Sequence, residues 1–63
     1  MTQKELLYVE DAVGHEDSII KILNQSLEFL SDDKLITFIE EEIEKHEDLK
    51  QGLLKLLEDT INE

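Results

Sequence analysis

Four side chains in this sequence are of the types and spacing that do chemistry together. His15 and Glu16 are neighbours in the first half of the chain, and Glu42 and His46 stand four apart in the second. Carboxylate oxygens and imidazole nitrogens are the ligand mixture that iron and manganese accept in helical bundles. The same groups are costly to bury unless something pairs them. Glu16 can meet His46 as an ion pair that fixes how two helices align, in the way that polar groups at inward positions set register. Two readings therefore stand side by side: a polar lock, which we take as the expectation, and a metal site built from Glu16, Glu42, His46 and His15.

Dimetal carboxylate bundles place one inward Glu on one helix and a Glu-x-x-His pair on the next, in two copies. Here Glu42 and His46 are four apart, and the residue three before His46 is the apolar Ile43. One residue of slip turns a ligand by about 100° around the helix axis, although positions four apart still share a face. No cofactor is expected on this reading, with iron or manganese as the alternative. No nucleophile–base pair and no Gly-rich phosphate loop is present, so an enzyme without a metal is not expected.

Whatever these groups do, helices must position them. Leu6, Val9, Val13, Glu16, Ile20, Leu23, Leu27 and Leu30 recur at alternating steps of three and four, the period of a helical bundle. A flanking line, Tyr8, Ala12, His15, Ile19, Ile22, Ser26 and Phe29, widens that face. Thr2-Gln3-Lys4-Glu5 has the capping-box pattern, so the first helix is expected from residue 3 to 30. Ser31-Asp32-Asp33 is a run of N-cap residues and supplies the turn. The second helix is expected over 34–60. Its stripe is Leu35, Phe38, Ile39, Glu42, Ile43, His46, Leu49, Leu53, Leu56, Leu57 and Ile61. A connection this short forces the helices antiparallel. Gly14 and Gly52 fall inside the helices, where a close neighbour is one explanation.

A hairpin pivoting near residue 32 sets residues opposite one another when their numbers total about 63 or 64. That brings His15, Glu16 and His46 to within about one turn in height. Two helices cannot cover faces this wide by themselves, and open apolar faces mark interfaces. The fold class expected is therefore all-α: a single antiparallel two-helix hairpin that dimerises into a four-helix bundle. Val9, Val13, Ile20, Leu23, Leu27, Ile39, Ile43, Leu49, Leu53 and Leu56 are the candidate interface residues.

Composition narrows the partners. The chain is 63 residues long, without Cys, and carries 17 acids against 6 bases for a net charge of −11. A single core of this size is marginal without a metal or other subunits, and disulfides are excluded. Nucleic acid and anionic membranes both need a basic surface, so neither is an expected partner. No run is long and apolar enough to span a bilayer, and the first residues do not form a signal peptide, so an intracellular location is expected.

The segment Lys4-Glu-Leu-Leu-Tyr-Val-Glu-Asp-Ala-Val-Gly-His-Glu16 resembles the start of short helical spore coat proteins of spore-forming Firmicutes, similar to spore coat protein F. The acidic turn at Ser31-Asp32-Asp33-Lys34-Leu35, the single His46 and the Leu-rich end Leu53-Leu54-Lys55-Leu56-Leu57 fit the same plan. The resemblance implies a ferritin-like bundle assembled from hairpins, with His15, Glu16 and His46 as the matched polar positions. It also implies a structural role in or on the spore, with other coat proteins as further partners. The expected function is thus a non-enzymatic assembly protein acting by homotypic helix packing. The alternatives are a ferritin-like metal-binding protein formed across a dimer of hairpins and a small acidic regulatory module that docks on another protein.

Overall fold

The computed structural model describes residues 1–62, and among these the chain folds as two α-helices with no strand. Helix α1 runs Gln3–Leu27 and helix α2 runs Asp33–Ile61. They pack against each other as an antiparallel hairpin in a rod of 47 × 14 × 12 Å. At 1.5 Å per residue each helix spans nearly the full length of that rod.

The start of α1 is the capping box expected from the sequence. Thr2 N–H donates to Glu5 Oε1 at 2.7 Å, and Glu5 N–H donates to Thr2 Oγ1 at 3.1 Å. The Thr2 amide first, and then the Thr2 side chain, hold the fully exposed Glu5 carboxyl below its ordinary value of 4.5 by hydrogen bonding, with help from the N-terminal charge. Helix α2 is capped by Asp32, whose Oδ1 accepts from Leu35 N–H at 2.9 Å, and Asp33 then sits in the first turn where the helix dipole favours an acid.

The end of α1 differs from the expected residue 30. The helix closes at Leu27, and residues 28 to 30 bond back three positions instead of four: Glu28 to Gln25, Phe29 to Ser26 and Leu30 to Leu27. Two local effects account for the early stop. Ser26 Oγ donates to the Leu23 carbonyl at 2.7 Å, competing with the helical ladder. Glu28 places a negative charge at the negative end of the helix dipole, with no basic residue in the last turn to offset it. The connection is accordingly longer than three residues, and α2 begins one residue before its expected start.

Between the helices lie Leu6, Val9, Val13, Glu16, Ile20, Leu23 and Leu27 of α1, the stripe read from the sequence. Helix α2 contributes Ile36, Ile39, Ile43, His46, Lys50, Leu53 and Leu57. Ile36 and Lys50 were not in the expected stripe, whereas Leu35, Phe38, Leu49, Leu56 and Ile61, which were, lie exposed in the hairpin. Adjacent apolar pairs such as Leu35-Ile36 leave the inward choice open, and contact with α1 decides it.

No apolar residue is fully buried; the one buried residue among those described is Glu16, at 9% exposure. Both glycines take ordinary negative φ, and a methyl group at either would meet nothing within 4 Å. Close approach within the hairpin therefore does not explain them. Gly14→Ala should raise stability by about 1 kcal/mol, since it restores helix propensity into open space, and urea denaturation measures it. The cap has its own signature. Its lowered carboxyl contributes stability that is present above 4.5 and lost as pH falls through the folded value below it. The Thr2 amide resonance should follow that acid step in an NMR titration, and Glu5→Gln should abolish it.

Candidate functional site

The polar residues singled out in the sequence cluster near mid-hairpin, but not all of them meet. Glu16 points inward from α1 because it continues the Val9–Val13 stripe, and His46 does so on α2 by continuing Ile39–Ile43. Their side chains touch at 2.5 Å, His46 Nδ1 to Glu16 Oε2, with Glu16 11% and His46 28% exposed as side chains. An ionised carboxylate can only accept, so Nδ1 carries the hydrogen in this contact, in either the neutral tautomer or the imidazolium.

A second cross-helix contact lies beside it. Lys50 Nζ reaches Asp17 Oδ1 at 2.6 Å. Lys50 sits one turn after His46, and Asp17 follows Glu16 directly, so the two bridges form a patch spanning the hairpin at one level. Lys50 lies outside the stripe expected for the second helix. The available signal was its step of four from His46, with the acid Asp17 across the pivot.

Glu42 and His15 do not join the pair. Glu42 is half-buried on the same helix as His46, and Lys45 Nζ holds its Oε1 at 3.3 Å. His15 is exposed on the flank of α1. Among the described residues no three His, Asp or Glu side chains come together as a metal would require. Within one hairpin the set Glu16, Glu42, His46 and His15 thus does not fit a metal centre: one carboxylate is bonded to imidazole, the other to an ammonium, and the second imidazole faces out. No pocket opens between the helices among these residues either.

What the arrangement does is align. An apolar stripe of repeating Leu and Ile tolerates a slip of one turn at modest cost. The same slip would leave Glu16 facing an apolar side chain without a partner, which costs more. The ten candidate interface residues divide. Val9, Val13, Ile20, Leu23, Leu27, Ile39, Ile43 and Leu53 are half-covered between the two helices, whereas Leu49 and Leu56 stand on an open side.

No protein-family model, no curated protein and no solved structure matches this chain.

The lock has a test of its own. Glu16→Ala should cost about 1–3 kcal/mol, because it strands the His46 donor in a half-buried place. The double replacement Glu16→Leu with His46→Leu should be as stable as the parent or more so, since apolar residues of similar size avoid the desolvation of both groups. Chemical denaturation of the three proteins decides it. A double variant as unstable as the single one would show that the pair contributes more than alignment.

Proposed function

We propose that this chain is a non-enzymatic assembly protein that works by packing its helices against copies of itself. The observation that carries the reading is the missing core: among the described residues the hairpin buries no apolar one, while 11 large apolar side chains stand exposed on it. A chain of this size cannot set many exposed Leu, Ile and Phe against the entropy of ordering two long helices unless further surface covers them. A hairpin that brings a mid-helix polar lock and a half-covered apolar layer has what a bundle subunit needs, and the lock limits which registers the subunit offers to its neighbour.

The resemblance of the Lys4–Glu16 segment to spore coat proteins supplies the setting we favour, the spore or its coat, with other coat proteins as neighbours. In that setting the protein's contribution is mechanical: an acidic, rod-shaped helical unit that holds by contact area.

Sedimentation equilibrium should give a mass of two chains or a higher multiple at micromolar concentration and above. Helicity and melting temperature should rise with concentration, as mass action requires when folding is coupled to association. A single-chain mass across the whole range, with helicity independent of dilution, would overturn the reading.

A further inference from the structure

The exposed apolar residues are not scattered over the rod. On both helices most of them occupy the position immediately before an inward residue, whereas Leu7 and Leu54 follow one. Tyr8 precedes Val9, His15 precedes Glu16 and Ile22 precedes Leu23. In α2, Leu35 precedes Ile36, Phe38 precedes Ile39, Leu49 precedes Lys50 and Leu56 precedes Leu57. One residue is a turn of about 100°, so each of these lies a quarter-turn to the same hand of its helix's inward stripe. Two antiparallel right-handed helices that turn the same way from their shared contact reach the same side of the layer. The apolar flanks of α1 and α2 therefore form one surface.

The opposite side follows the reverse rule. The residues that come immediately after inward ones include Glu10, Asp17, Glu40, Glu44, Glu47 and Glu58, and the Asp17–Lys50 bridge crosses there. The hairpin is thus a layer with one acidic side and one nearly uncharged apolar side.

We infer that the apolar side is the interface, and that a second copy of this chain occupies it face to face, closing a dimer of two hairpins. This rests on the assembly reading above and specifies its surface and its stopping point. Three observations support this occupant. The first is the pattern along the face. Tyr8, His15 and Ile22 step by seven along α1 and Phe29 carries the step into the turn beyond it, while Leu35, Glu42, Leu49 and Leu56 step by seven along α2. Opposite one another in the hairpin they make four rungs: Tyr8 with Leu56, His15 with Leu49, Ile22 with Glu42, and Phe29 with Leu35. The rungs are apolar at both ends and half polar in the middle, so the pattern turned end for end matches itself. A two-fold contact uses the same patch on both copies, so an apolar face of this kind can meet its own copy.

The second observation is area. A compact protein of 7.4 kDa exposes about 4,200 Å² by the usual scaling, and this hairpin exposes 5009 Å². The excess, about 800 Å², is what one partner buries in an interface of standard size. The third is charge. A cationic partner would be drawn to the acidic side, whereas the apolar side carries His15, Glu5 at the capped start of α1 and a Glu42–Lys45 pair that is already neutralised internally. Ile22 and Phe29, 63% and 84% exposed, call for apolar cover.

Two double variants with equal charge change separate the sides. Ile22→Lys with Leu49→Lys charges the apolar side, and Asn24→Lys with Gln51→Lys charges the acidic side. Sedimentation equilibrium should show the first pair weakening self-association by about 100-fold or more, as expected for charges in an apolar contact, and the second changing it by less than about threefold. Undiminished association in the first pair would overturn the inference while leaving the assembly reading intact. A wild-type chain that is monomeric throughout would remove both and leave the apolar side to a different protein. If the first pair unfolds as it dissociates, nitroxide labels at single cysteines carry the test on the intact assembly. Labels at Ile22→Cys should lie closer together across the dimer than labels at Asn24→Cys, and the reverse order would overturn the proposed face.

Discussion

Two helices can hide only one stripe each from water, and the sequence supplies more than one stripe per helix. That mismatch governs this structure. The α1–α2 contact takes up the residues from Leu6 to Leu27 and their counterparts from Ile36 to Leu57, and it leaves every apolar one of them partly wet. A second quarter-turn of each helix, from Tyr8 to Phe29 and from Leu35 to Leu56, has no cover from within the chain. Helical periodicity at steps of three and four is enough to build the hairpin, but a wide face is what a subunit of a larger bundle carries.

Within that frame the Glu16–His46 contact has a clear task. It is the most enclosed polar contact in the hairpin and spans 30 positions in sequence. Hydrophobic stripes rich in Leu and Ile say little about which turn of α1 should meet which turn of α2, since neighbouring alignments bury similar area. A carboxylate and an imidazole facing each other at one height break that degeneracy, because any other alignment leaves two polar groups unpaired. The adjacent Asp17–Lys50 bridge, with Asp17 half exposed to water, adds little energy by itself. It does add sidedness, since it forms only on the acidic edge of the layer.

Much of this was legible in the residues. Thr2 and Glu5 announce the helix start because the capping box is a purely local arrangement, and the pairing of Glu16 with His46 follows from a pivot near residue 32. The parts that were not legible share one cause, dependence on a neighbour. Leu35-Ile36, Phe38-Ile39 and Leu56-Leu57 each present two apolar candidates per turn, and α1 rather than α2's own sequence selects the inward one. The end of α1 was misplaced because Leu30 continues the apolar rhythm, while the Ser26 hydroxyl and the Glu28 charge act on the backbone, which periodicity does not register. Glu42 looked like a partner for His46 by spacing, yet Lys45 on the same helix is closer to hand.

The distribution of charge connects this geometry to how far assembly can go. With the apolar side covered by a second copy, as proposed, the outer surface of the pair is acidic, and each chain brings a net charge of −11. Further copies would have to meet acid against acid, a repulsion that persists to about 10 Å at ordinary ionic strength. Growth beyond the pair then depends on something cationic bridging the outer faces, a requirement separate from the apolar contact that forms the pair. One apolar side gives association and one acidic side limits it. Both follow from a bias of placement, in which apolar residues gather mostly before inward positions and acids mostly after them.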